Sequence, residues 1–321
     1  MLIRPKALSH IGILGMNRRN VRYIGRYNSR HLFPLVDDKL RTKLRARKFS
    51  IPSPELRHVV RTQHDIRNLE RLLEGMDGFA IKPSKGAGGK GILIVSRREG
   101  DAFIKPSGKS ITLTDIKRHL SNIQAGLHSL AGTPDVGIIE DLIQSVPFFD
   151  KLSYEGVPDI RVIIFQGVPV MAMLRLATHS SDGKANLHQG AVGVGLDLAT
   201  GQCAHAVQWG RRVTHHPDTG VNLDKIVIPD WRKMLRLAAE CHDLTGLGYL
   251  GADLVVDRHR GPLLLELNAR PGLAIQVANG AGLVPRLEAV ETLDPIPRDP
   301  ETRIDFAMRK FGVQPPCTTH P

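Results

Sequence analysis

The segment at positions 251–273, GADLVVDRHRGPLLLELNARPGL, constrains this chain more than any other stretch. Two apolar runs flank a polar turn, DRHRG at 257–261. The first run carries one carboxylate, Asp253, and the second delivers Glu266 and Asn268. Side chains on a strand alternate faces, so Glu266 and Asn268 project from the same one. A hairpin about the turn brings Asp253 opposite Glu266, within one residue of register. Carboxylates inside apolar strands are costly unless paired or metal-bound. Two of them with an amide oxygen suit a hard cation such as Mg²⁺, which takes oxygen ligands and keeps positions for water and phosphate. The alternative is a hairpin with incidental acids at its ends.

The 321 residues, 41% hydrophobic and 24% charged, suffice for one large or two ordinary globular domains. No apolar run reaches the ~20 residues that a membrane span needs. The densest, 162–176, is broken by Gln166, Gly167, Pro169 and Arg175. The opening MLIRPKALSH lacks the apolar core of a secretory signal. Cys203, Cys241 and Cys317 show no CxxC spacing, which speaks against a disulfide framework or zinc cluster and predicts a cytoplasmic protein. Positions 1–62 hold 15 basic and 3 acidic residues, so the whole net charge of +12 sits in the first fifth of the chain. Such a block steers an acidic partner. An aromatic content of 5% offers little for base stacking, which disfavours nucleic acid and favours a solvated or phosphate-facing surface.

Taken in order, positions 1–36 read as a short Arg-rich lead-in with one helix around 17–27. Asp37 or Asp38 then caps a helix through KLRTKLRARKF, which Pro52 and Pro54 stop. A second helix covers about 64–74. At 78–96, GFAIKPSKGAGGKGILIVS, a strand ending in Lys82 enters a loop with Ser84, Gly86, Gly88, Gly89, Lys90 and Gly91, and a second strand leaves it. Glycines let backbone N–H groups turn towards an anion. A flexible hairpin tip explains them equally well, but Lys82, Lys85 and Lys90 favour polyphosphate. A helix from about 113 to 130 follows. GIIEDLIQ at 137–144 reads as a buried strand turning acidic at Glu140 and Asp141. Two strands joined at Gly167 carry Asp159, Arg161 and Arg175, which either act chemically or form a structural ion pair. The polar loop 180–195 holds Asn186 and His188; His188 is a general base or a histidine bonded to its own loop. A helix covers 229–245, and the proline-rich stretch 291–321 reads as a flexible tail.

Together these motifs resemble the ATP-grasp superfamily over about 36–287, with the nearest likeness to RimK-type and other α-L-glutamate ligase-like proteins. The resemblance implies an α+β fold in which two α+β subdomains clasp ATP between antiparallel sheets. It implies that Lys39, Lys82 and the loop residues Ser84, Gly86, Gly88, Gly89, Lys90 and Gly91 hold ATP phosphates. Glu140 would meet the adenine amine, Asp141 and Leu142 the ring, and Asp150 is the nearest candidate for the ribose. Asp253, Glu266 and Asn268 match the Mg²⁺ ligands, with Mn²⁺ as the alternative ion. Arg161, Arg175, Arg270, Asn186 and His188 would line the reacting centre. The implied organisation is a reduced N-terminal segment at 1–36, an N-terminal subdomain at 37–136, a C-terminal subdomain at 137–290 and a tail at 291–321. The implied activity is ATP-dependent carboxylate–amine ligation through an acyl phosphate, adding glutamate to a peptide or other anionic acceptor. An ATP-grasp kinase that phosphorylates a small molecule is the alternative. Self-association stays open.

Overall fold

The structure, a computed structural model, describes residues 10–86, 88–129 and 132–312. The chain divides into two compact units, one of residues 37–144 and one of residues 1–36 with 145–321.

The smaller unit contains strands Leu56–Val60 (β1), Phe79–Pro83 (β2), Leu93–Val95 (β3), Arg97–Glu99 (β4), Ala102–Ile104 (β5), Ser110–Ile111 (β6) and Gly137–Asp141 (β7). Four make an antiparallel sheet in the order β1-β7-β2-β3, and β4-β5-β6 make a second. Helix Lys39–Lys48 (α1) starts at Asp38, whose Oδ1 accepts from the Leu40 and Arg41 N–H groups. Helix Leu113–Gln124 (α2) starts at a reciprocal cap between Thr112 and Asp115 and buries Ile116, Leu120 and Ile123 as one stripe. It ends well short of the expected 130, because Gly126 takes φ +82° against the carbonyls of Gly132 and Thr133. The α2 stripe meets Phe79, Ile81 and Ile139 of the sheet in one core. Strand β7 therefore belongs to this unit, whereas the sequence assigned 137–144 to the C-terminal subdomain. Its apolar residues are hydrogen-bonded on both sides, to β1 and to β2, which fixes it as an inner strand.

The larger unit contains Asp159–Phe165 (β8), Val168–Leu176 (β9), Val192–Leu196 (β10), Cys203–Gln208 (β11), Arg211–Arg212 (β12), Tyr249–Asp257 (β13) and Gly261–Asn268 (β14). They form one antiparallel sheet, β12-β11-β10-β9-β8-β13-β14. Helix Trp231–Thr245 (α3) lays Met234, Leu235, Ala238 and Cys241 on the β8, β9, β13 and β14 strands. Helices Val284–Glu291 (α4) and Pro300–Phe311 (α5) follow.

Two expectations about the chain ends change. The stretch 16–27 is helical and is built into this unit rather than standing apart from it. Tyr23 is fully buried edge-on to Phe165 at 5.5 Å, and Asn28 exchanges two hydrogen bonds with the backbone of Tyr249 (2.7 and 2.8 Å). At the other end, much of the expected tail is α5, which buries Ile304 and Ala307 and carries Arg303 inward to Asp243 at 2.5 Å. Asp299 caps α5 and Pro300 opens it, a position where proline costs no hydrogen bond. Residues 313–321 lie outside the described residues. Among the described residues no helix is long and apolar enough to cross a membrane.

Candidate active site

In the smaller unit the start of α1 and the start of the glycine-rich loop are tied together. The Lys39 N–H donates to the Ser84 carbonyl at 2.8 Å, and Lys39 Nζ to the Gly86 carbonyl at 2.5 Å. The Ser84 hydroxyl donates to Asp38, the cap of α1. Further along, Gly88 and Gly89 take φ of +63° and +74° in open space, a conformation that a side chain would strain. Lys90 is exposed, and Gly91 lies against the ring of His128.

Glu140 is fully buried and pairs with two lysines, Lys43 Nζ at 2.7 Å from Oε2 and Lys82 Nζ on Oε1. Burial disfavours its charge, but the two ammonium groups outweigh burial and hold the carboxyl below the usual range. Burial in turn pulls the Lys43 ammonium down. The Glu140 carboxylate, expected near the adenine amine, is occupied by these two lysines. Lys43 was not singled out in the sequence. Its signal was its place four residues after Lys39, hence on the same helix face. Asp141 is held by Arg57 through two bonds of 2.6 and 2.9 Å, and Leu142 follows, half-buried, at the end of β7.

In the larger unit, register does the assembling. Asp253 on β13 is paired with Glu266 on β14 and with Arg161 on β8; Asp159 on β8 is paired with Arg175 on β9; Asn268 stands opposite Gly251. Directly paired residues share a face, so these six polar side chains emerge on one side of the sheet. Arg161 grips Asp253 through Nε–Oδ1 at 2.7 Å and Nη2–Oδ2 at 2.6 Å. Arg175 grips Asp159 at 2.5 and 2.7 Å and adds Nη2 to Asp253 Oδ2 at 2.9 Å. Burial works against both carboxylates. At Asp253 the Arg161 and Arg175 guanidinia overcome it and hold the group well below its usual range. At Asp159 burial wins over Arg175 and pushes the group up, so a proton entering the cluster goes to Asp159.

The donor set fits a hard cation. Of about four acceptor directions on a carboxylate, guanidinium N–H groups take three at Asp253 and leave one on Oδ1. Asn268 Oδ1 accepts from the Arg270 N–H at 2.8 Å and keeps a second lone pair. Glu266 is half-buried beside them. No group of three His, Cys, Asp or Glu side chains arranged for a metal occurs among the described residues, and the donor set includes the Asn268 amide. Mg²⁺ or Mn²⁺ would lie on Glu266 and Asn268, with Asp253 Oδ1 as the third ligand.

The remaining expected residues are more scattered. Arg270 stacks over Phe33 at 5.0 Å. Asn186 Oδ1 accepts from the His188 N–H at 3.0 Å and so caps the turn Leu187–Gln189; His188 is exposed. Asp150 is exposed, 3.7 Å from the Arg258 guanidinium.

The family described as sugar-transfer associated ATP-grasp matches residues 18–292. No curated protein matches the sequence. Among solved structures the chain is similar to the ATP-grasp ligase PsnB complexed with minimal precursor, at 14% identity and a TM-score of 0.44, covering 82% of this chain and 62% of that one. It is similar to the D-cycloserine synthetase DcsG, at 14% identity and a TM-score of 0.45, over 80% of this chain and 70% of that one. It is also similar to D-alanyl-alanine synthetase A from Vibrio cholerae O1 biovar eltor, at 10% identity and a TM-score of 0.47, over 87% and 66%. The chain thus spans 62% of the length of PsnB. With a family match that runs from the first helical segment through α4, this chain has the ATP-grasp fold and belongs to the sugar-transfer associated ATP-grasp family.

Proposed function

We propose that the chain is an ATP-dependent carboxylate–amine ligase that works through an acyl phosphate. The observation that carries this reading is the one-face row of Asp159, Arg161, Arg175, Asp253, Glu266 and Asn268 in a chain of this family. It sets guanidinium donors beside hard-oxygen ligands. A carboxylate resists an amine because it is charged and lacks a leaving group; transfer of the γ-phosphoryl group supplies one, and positioning and charge neutralisation carry that step. Bound Mg²⁺ would neutralise phosphate oxygens. Lys39, Lys82, Ser84, Lys90 and the N–H groups around Gly86, Gly88, Gly89 and Gly91 would hold the phosphates. The segment Asp141 and Leu142 would meet the adenine ring and Asp150 the ribose. Arg161, Arg175 or Arg270 would stabilise the oxyanion that forms when the amine attacks. Asn186 would shape the acceptor loop, and His188 would take the amine proton.

Glutamate is the first amino acid to test, on the likeness to glutamate ligases. The family's association with sugar transfer adds carbohydrate-bearing acceptors to the peptides and carboxylates. The test is ADP release across amino acids and acceptors, with mass spectrometry of the product. ADP release that depends on the amine, with an amide product, supports ligation. ADP release without amine, with a stable phosphorylated product, would make the chain a kinase. Full turnover in Glu266→Ala would remove the cation assignment.

A further inference from the structure

A second basic site lies in the smaller unit, where α2 meets the β5–β6 hairpin. It is a cavity of about 190 Å³ whose walls include Lys105, Lys109, Arg118 and His119. Lys105 and Lys109 flank the tip of the hairpin, and the Lys105 N–H donates to the Lys109 carbonyl at 2.9 Å. They are therefore opposite one another, and like charges in that position repel. Among the described residues neither ammonium lies within ion-pair distance of a carboxylate, although the Lys109 charge is felt at Asp115. The one acid in the walls, Asp115, is already committed: Oδ2 accepts from the Thr112 N–H and hydroxyl, both at 2.9 Å, and Oδ1 from Arg118 at 2.7 Å. Asn122 adds a polar group from the next turn of α2. Leu93 and Ile111 supply apolar wall between these groups, and a repulsive lysine pair lining the cavity is a cost that a bound anion would reverse. The volume is below the roughly 300 Å³ at which pockets begin to hold drug-sized ligands, so it suits a phosphate group rather than a nucleotide.

His119 connects this cavity to the glycine-rich loop. Its Nε2 is 3.0 Å from the Gly91 carbonyl, and its ring lies 5.7 Å from that of His128, the ring on which Gly91 rests. Burial, with Lys105 and His128 nearby, keeps the His119 imidazole below its usual range, and an anion in the cavity would offset part of that effect.

We propose that the cavity walled by Lys105, Lys109, Arg118 and His119 binds a small phosphate dianion, and that the His119–Gly91 hydrogen bond transmits its occupancy to the end of the glycine-rich loop. The cavity side chains have no part in the proposed ligase chemistry, the coupling to Gly91 rests on that reading of the loop, and binding is tested without turnover. The full-length protein is titrated with inorganic phosphate, and separately with glycerol 3-phosphate, at constant ionic strength against chloride. The His119 ring and Gly91 amide resonances are followed by NMR. Saturable shifts in both are expected. Lys105→Gln with Lys109→Gln is expected to weaken binding about tenfold or more, as loss of charge-assisted contacts requires. The Lys105→Arg, Lys109→Arg pair controls for folding and keeps binding. Tighter binding of the ester or of inorganic phosphate identifies which source the cavity prefers, and saturation by either supports the site. Shifts that rise linearly with phosphate and match those in chloride, or equal affinity in the Gln pair, would overturn it. In His119→Leu the anion should still bind while the Gly91 amide stays still. A Gly91 shift unchanged in that variant would refute the coupling.

Discussion

Glu140 and Asp253 are buried carboxylates, each held by two cations. Removing one member of a buried ion cluster leaves the others uncompensated, which costs about 3–5 kcal/mol. Glu140→Gln and Asp253→Asn should each lose stability of that order in urea unfolding; a loss under about 1 kcal/mol, the range of exposed pairs, would contradict the buried pairing. Asp159→Asn should cost less at neutral pH, because burial already disfavours its charge. The sign of its pH dependence follows from a folded pKa raised to about 6. Above that value the fold pays for keeping Asp159 ionised. As pH falls from above 6 towards the ordinary carboxylate range, the cost disappears, so this group makes the wild type more stable relative to Asp159→Asn. Stability curves of the two proteins that run parallel between pH 7.5 and 4.5 would refute the raised value (the interval is about that between the perturbed and ordinary carboxylates). The Asp253–Glu266 pairing was legible in the sequence because a short turn joins their strands. The guanidinium partners were not, since Arg161 lies 92 residues from Asp253 and only the β8–β13 register unites them.

Among the elements, the β13–β14 hairpin and the β2–β3 pair around the glycine loop were readable, because alternation and turn residues are local signals. Helix α5 was missed because the proline-rich composition of 291–321 reads as a flexible tail. The pair Asp299-Pro300 is instead a cap followed by a helix-compatible proline, and the apolar stripe of Ile304, Ala307 and Phe311 has the helical period. The same helix supplies a specific prediction. Asp299 Oδ2 accepts from the Thr302 N–H at 2.9 Å, so Asp299→Ala should lower the urea midpoint modestly. Gly167, in the β8–β9 turn, has φ +79° and faces the Arg303 guanidinium where a side chain would stand. Gly167→Ala should therefore cost more than the cap, through backbone strain and displacement of Arg303 from Asp243 together. Urea midpoints in the reverse order would show that Arg303 is not fixed as described.

At the scale of the molecule the two units differ in how the chain supplies them. The smaller is one continuous segment with its own core, while the larger needs residues 1–36 together with 145–321. The basic first fifth of the sequence accordingly does structural work that its charge did not announce. Arg18 bonds Glu288 at 2.7 Å and Arg22 bonds Glu291 at 3.0 Å, and Arg19 reaches the Pro271 carbonyl at 2.8 Å, so several of its cations are used inside the fold. The exposed pairs contribute little. Tyr23 contributes more, because a fully buried aromatic truncated to alanine costs about 3–5 kcal/mol. Excision follows directly. A fragment of residues 37–144 should fold alone and unfold cooperatively by circular dichroism. A fragment of residues 145–321 should lack cooperative unfolding, because Phe165 and Tyr249 lose the cover of Tyr23 and Tyr27. Joining residues 10–36 to it through a flexible linker should restore a cooperative transition, and Tyr23→Ala within the joined segment should weaken it again. A cooperative transition in 145–321 alone would show that the Arg-rich stretch is an accessory after all, and would return its charge to the role of steering a partner.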